Sequence, residues 1–560
     1  MDILHYFSAV HPQALLATST TLVFFLGFLI WLMGMGGRRS SLDLPIAGML
    51  PSILLNLHRL HDWAAKELER RGCTTWVRGP WLSGMDFVAT SDPLVAKYVS
   101  STKSSNFQRG PRFREIVEPL GMGVITADSE EWRPRRKLMV DLLHRPEFVS
   151  SLRGMTQEMI KSRLLPRLAD AAREKKPVDL QMVLRFSFDV MCSAILGVDF
   201  GSLSADLPHV PFMEAFGEVE DIIITRFVMP RSLWRLLAWL QIGPPQRLAE
   251  YTKFVDEFLY QTIAARKEQL QREDSEAPKP HGESAPGDAS QRCNLLTMYL
   301  RSNREVADET GKLSPAGYSA EYIRDATLEL LASGWRSTGV GMARVLWLLC
   351  MHPTEAAKIV DELGSNTSVA ADGDTVAKQQ EARGSHMTTF KADDLGSCVY
   401  LNAAIHESLR LYAPIPFTSR AAMQRDVLPT GEELPQGVTV LLPVFAVGRI
   451  RKLWGEDAAE FKPERWISDG KMKDESSYKF AVFGAGPRGC LGKKLSMGTI
   501  KAVTASVVYN FRFTPADGPG IGHHAHEEWI EGEPPEVAAS RGILFGSFEK
   551  MTFHVHARQQ

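Results

Sequence analysis

Several common signatures are missing from this 560-residue chain, and each absence excludes a class of protein. The six cysteines form no C-x-x-C pair, and their spacings match neither a zinc ribbon nor a zinc finger. The formal net charge is only -2, so no excess of positive charge indicates nucleic-acid binding. No internal repeat is present. Single, scattered cysteines are typical of a reducing compartment, and 44% hydrophobic with 23% charged residues is an ordinary globular composition.

Charge is also missing from the beginning of the chain. Residues 3–37 contain no Lys, Arg, Asp or Glu, and 14–36 are mostly apolar. A membrane-spanning helix needs about 20 such residues, and the two arginines at 38–39 favour the cytosolic side. The alternatives are a buried core helix or a cleaved signal peptide, which would have a basic start and a shorter apolar core. We expect a membrane anchor with a basic flank at 1–41, followed by a cytosolic domain at 42–560.

The rest of the chain is dominated by apolar residues at helical spacing, which predicts a mainly α-helical fold. Strand-like runs are few and predict small β-sheets. Two polar segments, at 272–292 and 364–392, are typical of surface insertions rather than of domain boundaries. The clearest predicted helices span 148–171, 180–196, 248–271, 322–351 and 401–411, and the predicted strands span 437–444 and 550–557.

The strongest chemical signal is the loop FGAGPRGCLG at 483–492, which a helical pattern follows. Its glycines allow the backbone to approach a flat ligand closely. Cys490 precedes the helix, where free N–H groups stabilise a thiolate, and Arg488 supplies charge for an anionic group. Together these features are typical of a haem site with a cysteine axial ligand. The alternative, a phosphate-binding loop, would need a lysine and hydroxyl pattern that is missing here.

This decapeptide resembles the haem-binding signature of the cytochrome P450 family, the haem-thiolate monooxygenases. Three further stretches are similar to family motifs and follow the family's order. HESLRLYAPIP contains Glu407 and Arg410, which resemble the family's E-x-x-R pair, and FKPERW adds Arg465, the third member of that charge cluster. EEWRPRRKL contains Trp132 and Arg136, which resemble the pair that hydrogen-bonds a haem propionate.

The resemblance implies a cytochrome P450 fold behind an N-terminal transmembrane helix. It implies haem b (iron protoporphyrin IX) as cofactor, one oxygen atom of O2 inserted into a lipophilic substrate, and electrons from NADPH through NADPH-cytochrome P450 reductase. Thiolate donation from Cys490, the metal ligand, would assist cleavage of the O–O bond. The other haem-binding residues that the resemblance implies are Trp132, Arg136, Phe483, Gly486, Arg488 and Gly492.

A basic footprint for the reductase is the next expectation, because complementary charge speeds encounter. The alternative is that these charges belong to ordinary solvated surface. The candidates are Arg449, Arg451, Lys452, Lys493 and Lys494.

Longer stretches narrow the resemblance. NFQRGPRFREIVEPLGMGVITADSEEW and LWGEDAAEFKPERWISDG look most like the fatty-acid and alkane hydroxylases of plants and fungi. This implies ω or near-ω hydroxylation of a long acyl chain by a single-pass enzyme of the endoplasmic reticulum membrane. Related enzymes act on other substrates, so a monooxygenase of a specialised secondary-metabolite pathway is the alternative.

The predicted helix at 322–351 departs from the family pattern. That pattern usually has an acid followed by an alcohol, which organise the water that delivers protons to dioxygen. Alignment on Gly334 places Arg336 at the acid and Ser337 at the alcohol, followed by Thr338. A guanidinium group only donates hydrogen bonds and stays protonated, so it cannot replace a carboxylate directly.

Several hypotheses address this departure. In the first, proton delivery persists through Ser337, Thr338 and water, with Glu329 connected to Arg336 along one helical face. In the second, Arg336 anchors a substrate carboxylate. In the third, oxygen activation has been lost and the enzyme rearranges lipid hydroperoxides without a reductase. In the structural alternative Arg336 binds only neighbouring backbone or a loop. A haem-binding sensor without catalytic activity is the alternative from another class.

Overall fold

A computed structural model describes residues 43–44, 47–56, 60–81, 83–204, 206–275, 293–308, 318–365, 387–516 and 552–558. The anchor predicted at 1–41 lies outside these residues. Within them, no helix has both the length and the hydropathy that crossing a membrane requires.

Helices form most of the described chain, as the sequence pattern predicts. They are α1 (Leu50–Leu55), α2 (Leu60–Arg70), α3 (Pro93–Lys97), α4 (Gly110–Ile116), α5 (Ser129–Leu143), α6 (Pro146–Met159), α7 (Leu165–Glu174), α8 (Gln181–Leu196), α9 (Pro211–Val228), α10 (Arg231–Leu240), α11 (Pro244–Ser275), α12 (Leu295–Asp308), α13 (Ala320–Met351), α14 (Pro353–Ser365), α15 (Val399–Leu411), α16 (Val444–Val447), α17 (Arg451–Trp454) and α18 (Lys493–Asn510).

The strands are short and form small sheets beside the helices. A five-stranded sheet has the order β1-β2-β8-β5-β3, in which β2 and β8 are parallel and the other pairs are antiparallel. A three-stranded sheet has the order β11-β12-β4, and β9–β10 and β6–β7 are two-stranded. The bounds are β1 (Thr74–Val77), β2 (Phe87–Thr90), β3 (Phe107–Gln108), β4 (Val178–Asp179), β5 (Thr418–Ala422), β6 (Asp426–Val427), β7 (Glu433–Leu434), β8 (Thr439–Leu442), β9 (Ile467–Ser468), β10 (Lys471–Met472), β11 (Phe511–Pro515) and β12 (Thr552–Ala557).

Helix α13 runs through the core for about 48 Å, at 1.5 Å per residue. Ser319 caps its beginning, because the serine Oγ accepts a hydrogen bond from the Tyr322 N–H at 3.1 Å. It packs closely along α8, since a Cβ on Gly339 would lie only 3.2 Å from Leu184 Cα. Ser187 of α8 donates a hydrogen bond to the Trp335 carbonyl at 2.7 Å. This packing holds the middle of α13 in a defined orientation.

The structure changes three of the predicted element bounds. The helix predicted at 148–171 is divided by a π-helical turn at Ile160–Leu164, and Pro166 just after this turn lacks the N–H that a regular helix would use. The predicted insertion at 364–392 ends in packed chain, because Phe390 is buried and the Thr388 N–H donates to Asn510 of α18 at 2.9 Å. Residues 272–275 of the other predicted insertion continue α11.

Candidate active site

A cavity of about 470 Å³ lies beside the middle of α13. Apolar side chains form much of its wall, including Phe113, Ile223 and Phe227. Cys490 lies at one end. A concave, mostly apolar cavity with a few convergent polar groups is the usual form of a small-molecule site.

The loop before α18 presents Cys490 to this cavity. Gly486 has φ +68°, and a Cβ on it would lie 2.1 Å from the Ser100 carbonyl oxygen, so a side chain does not fit there. The Cys490 N–H donates to the Phe483 carbonyl at 2.7 Å, which closes the loop. Gly492 is the N-cap of α18, and Phe483, Cys490 and Gly492 all line the cavity. The predicted haem-binding loop therefore borders a cavity of suitable character.

Opposing effects act on the pKa of the Cys490 thiol. Burial raises its pKa, while the N–H groups of Gly492 and Lys493 and the charge of Arg136 act in the opposite direction. The helix N-terminus stabilises the thiolate as expected, but burial has the larger effect. Coordination to a metal ion deprotonates a thiol outright, so the haem iron would make up this deficit.

Four buried or half-buried arginines line the cavity near Cys490, and we call them the arginine cluster: Arg109, Arg136, Arg420 and Arg488. Arg488 pairs with Asp128 at 3.2 Å, but its buried Nη1 has no hydrogen-bond partner. Burial and repulsion from Arg488 lower the pKa of Arg109 to about 10. Burial, together with Arg109 and Arg488, lowers the pKa of Arg420 well below its ordinary value. Buried positive charge in this excess fits a ligand with two carboxylates, and haem has two propionates.

Trp132 joins this end of the cavity. The Arg488 Cζ lies 4.6 Å from the centroid of the Trp132 ring, and the Arg136 Cζ lies 5.9 Å from it. The structure thus brings together the three residues predicted to hold a propionate. Arg109 and Arg420 escaped prediction, because nothing in their local sequence distinguishes them from arginines on the protein surface.

The predicted charge cluster is assembled away from the cavity. Arg410 donates to both Glu407 oxygens at 2.7 Å, and Arg465 Nε donates to Glu407 Oε1 at 3.2 Å. Glu407 and the Arg410 side chain are fully buried. Trp466 adds an indole donor to Glu407 at 2.9 Å. A buried ion pair with this many hydrogen bonds links α15 to the chain before β9.

Glu329 of α13 borders the cavity, but its hydrogen bonds are to the loop before α5. Its carboxylate accepts hydrogen bonds from the Ile125 N–H at 2.9 Å, the Thr126 N–H at 3.2 Å and the Thr126 Oγ1 at 2.9 Å. Burial raises the pKa of Glu329 to about 7, and these hydrogen bonds oppose the rise. Asp325, one turn earlier, accepts from the Met122 N–H at 2.7 Å. Both carboxylates therefore hold the loop between α4 and α5 against α13.

Arg336 has other partners, and this corrects the sequence-based hypotheses. Its guanidinium donates to both oxygens of Asp221 on α9, at 3.0 Å for the Nη2 bond, and its Nε lies 3.5 Å from Glu220 Oε2. Glu329 binds the loop before α5 whereas Arg336 binds α9, so a link between these two side chains would need water. Two protein carboxylates already face the guanidinium, which competes with its use as an anchor for a substrate carboxylate. The structural alternative expected neighbouring backbone or a loop, and the partners are instead carboxylate side chains of a helix.

The hydroxyl residues after Arg336 do reach the cavity. Ser337 and Thr338 both line it, and Ser337 Oγ donates to the Ser333 carbonyl one turn earlier. Thr338 is buried at 2% exposure. Glu220, which no sequence pattern singled out, also lines the cavity. An acid inside the apolar helix sequence FGEVEDII was the available signal.

The predicted reductase footprint is corrected at one position. Arg449 is buried, with its Cζ 3.6 Å from the Phe445 ring centroid and 5.0 Å from that of Tyr412. Apolar ring faces attract a guanidinium, which explains this placement. The other members of the footprint are exposed: Arg451, Lys452, Lys493 and Lys494.

Comparison with known proteins agrees with this geometry. The family profile described as "Cytochrome P450" matches residues 44–526. The chain is 32% identical to Cytochrome P450 86B1 of Arabidopsis thaliana over 85% of this chain and 81% of the relative. It is 34% identical to Alkane hydroxylase MAH1 of the same plant over 85% and 88%. It is 31% identical to Noroxomaritidine synthase 2 of Narcissus pseudonarcissus over 91% and 93%.

Proposed function

This chain belongs to the cytochrome P450 family, and we propose that it hydroxylates a fatty acid or another long-chain acyl compound at or near the ω end. The family resemblance seen in the sequence is confirmed, and with it the monooxygenase activity. The observation that carries the substrate proposal is the largely apolar cavity of about 470 Å³ whose wall includes Cys490. Similarity to a relative named an alkane hydroxylase supports it.

The cofactor proposal assigns haem b to the cavity, with Cys490 as its iron ligand. When bound, the haem supplies the activation of dioxygen. The arginine cluster and Trp132 would pair with the propionates. Gly486, predicted to contact the haem, instead lets the cysteine loop pack against Ser100 and is not among the residues of the cavity wall. Phe483 and Gly492 would border the porphyrin because they line the cavity beside Cys490.

The remaining residues act on substrate, water and protons. Apolar walls such as Phe113, Ile223 and Phe227 hold an alkyl chain and exclude bulk water. Ser337 and Thr338 offer hydroxyl groups that donate and accept protons at the cavity wall. Glu329 and Arg336 position neighbouring elements, as their hydrogen bonds indicate. Proton delivery is assigned to the hydroxyl pair.

Electrons would come from NADPH-cytochrome P450 reductase. The exposed Lys493 and Lys494 immediately follow the cysteine loop, and Arg451 and Lys452 are exposed as well. Basic groups here complement an acidic partner and speed its encounter with this face.

We also propose a single-pass anchor at 1–41 in the endoplasmic reticulum membrane, with residues 42–560 as the cytosolic catalytic domain. Helix α10 supports membrane contact, because none of its residues is buried. Trp239 is 78% exposed and Leu236 is 51% exposed. Such an apolar patch on a described surface is unfavourable in water and favourable against lipid.

A reconstituted assay tests the activity. The chain, the reductase and NADPH are incubated with C12–C18 fatty acids and alkanes, and products are identified by mass spectrometry. We expect NADPH-dependent hydroxylation near the ω end, and no product from Cys490→Ser. A normal carbon monoxide difference spectrum without any such product would overturn the substrate proposal.

The same assay separates the alternatives. Rearrangement of a lipid hydroperoxide without NADPH would favour the reductase-independent reaction. Hydroxylation of a ring compound in preference to an acyl chain would favour a specialised pathway. An intact haem spectrum with no NADPH consumption under any condition would favour a sensor.

A further inference from the structure

We propose that Glu220 recognises a hydrogen-bond-donating group of the substrate, so that the enzyme prefers long-chain compounds with a hydroxyl or protonated amino group over those with a free carboxylate. This inference rests on the proposed function, because it assigns the polar group of the long-chain substrate.

Glu220 is an unusual residue for the wall of an apolar cavity. Its side chain is 6% exposed, and it projects from α9 between apolar residues that include Ile223 and Ile224. Its buried Oε2 accepts no hydrogen bond of normal geometry, although the Trp335 indole, whose N–H is also buried without a partner, lies near enough to lower the Glu220 pKa. A buried carboxylate oxygen without a donor is costly, and native proteins rarely keep one unless a ligand or water completes it. A donor group on the substrate would satisfy this oxygen.

Arg336 forms an ion pair with Glu220, but at a distance longer than a normal charge-assisted hydrogen bond. The Arg336 guanidinium hydrogen-bonds to Asp221 through Nη1 and Nη2, while Nε stays 3.5 Å from Glu220 Oε2. One guanidinium therefore faces two carboxylates. Asp221 is 58% exposed, so water also satisfies its carboxylate. The buried Glu220 carboxylate can gain a further hydrogen bond only from a group that enters the cavity.

The cavity wall therefore carries positive charge at the arginine cluster and an acidic group at Glu220. The arginine cluster lies beside Cys490, and those charges are assigned to the haem propionates. Glu220 belongs to the wall formed by α9 and α13, where it is an acceptor. Burial raises the pKa of Glu220 to about 8, so above that pH a substrate carboxylate at this wall would meet like charge, whereas a hydroxyl or ammonium group would donate to Glu220. The ionised wall thus selects against free fatty acids bound with the carboxylate at Glu220, and affinities are therefore compared at pH 9.

A set of matched C12 probes tests the inference on the haem-loaded full chain in detergent micelles. Equilibrium dialysis gives dissociation constants for dodecan-1-ol, 1-methoxydodecane, N,N-dimethyldodecylamine and dodecanoate. The alcohol and its methyl ether differ mainly in the donor. We expect the alcohol and the amine to bind at least about five-fold tighter than the ether, and dodecanoate to bind more weakly than the alcohol.

Variants locate the effect. Glu220→Leu should bind alcohol, amine and ether alike, with the ether unchanged. Glu220→Gln keeps an acceptor of the same size without charge, so it should retain the preference for the alcohol and lose that for the amine. If Glu220→Leu does not fold, Glu220→Gln alone tests whether Glu220 recognises the donor group. Glu214→Leu makes the same change at an exposed position of α9 and should behave like the parent.

The outcomes distinguish this inference from the proposed function. Equal affinity of the parent for alcohol and ether would overturn the role of Glu220 alone. The same is true if Glu220→Leu weakens all four probes equally, or if both preferences survive in Glu220→Gln. Failure of every probe to bind would overturn the long-chain substrate and this inference together. An amine that merely ligates the iron would bind the parent and Glu220→Leu equally, which also counts against the proposal.

Discussion

Replacement of Arg420 by methionine removes a buried positive charge from the arginine cluster. Arg420 is 6% exposed, and its pKa is lowered well below the ordinary value by burial and by Arg109 and Arg488. Its Nη1 donates to the Ser419 carbonyl at 2.7 Å, which fixes the side chain at the cavity wall. An arginine held this way is unfavourable in the empty site and becomes favourable when a propionate is bound.

The size of the effect follows from one charge-assisted hydrogen bond. Such a bond contributes about 1.5–3 kcal/mol, and 1.4 kcal/mol corresponds to ten-fold in an equilibrium constant. Arg420→Met should therefore bind haem roughly ten- to a hundred-fold more weakly. Arg420→Lys keeps the charge but presents fewer donors, so its haem affinity should be intermediate.

The assay is the rate at which haem passes from the purified enzyme to an excess of an apoprotein acceptor, followed by absorbance. Arg344→Met is the matched control. Arg344 is 3% exposed, and burial lowers its pKa to about 10, but it packs on Trp347 and Tyr412 and is not among the residues of the cavity wall. Equal haem loss from both methionine variants would refute the reasoning, because the effect would then reflect general damage to the core.

Two further predictions concern stability. Glu407→Gln should destabilise the protein by about 3–5 kcal/mol, since the fully buried Arg410 loses its counter-charge, while Arg465 keeps Asp457. Thermal unfolding at one scan rate measures this, and the exposed Lys358→Ala should cost less than about 1 kcal/mol. Glu329→Gln tests the raised pKa. A folded-state pKa of about 7 against 4.5 means that Glu329's contribution to stability is full below pH 4.5 and lost as pH rises to 7. The variant should therefore gain up to about 3 kcal/mol on the parent between pH 5 and 8, and parallel pH profiles would contradict this.

Features that depend on neighbours along the chain were predictable from sequence. The spacing of apolar residues predicted α8 and α13 to within two residues at each end. The glycine density of the loop predicted a backbone that side chains would obstruct, and Gly486 is one such position, although there a side chain would meet the Ser100 carbonyl of the protein itself. The E-x-x-R spacing likewise predicted that Glu407 and Arg410 would share one face of a helix.

Features that join distant segments were not predictable in the same way. The sequence suggested that Glu329 and Arg336 act together, because seven residues return a helix to nearly the same face. Their side chains instead bind the loop before α5 and helix α9. Helical periodicity predicts which side chains lie on one face of a helix, but it does not predict which other element packs against each part of that face.

The sequence by itself determined the family, the cysteine proposed as haem ligand and the anomaly at position 336, because each depends on a short local pattern. Only the tertiary structure decided what the anomaly does. Arg336 meets Asp221, 115 residues away in the chain, and leaves Glu220 facing the cavity. The reason is physical: charge balance and hydrogen bonding in a buried site depend on the groups that folding brings within a few ångströms, and their separation along the chain carries no such information.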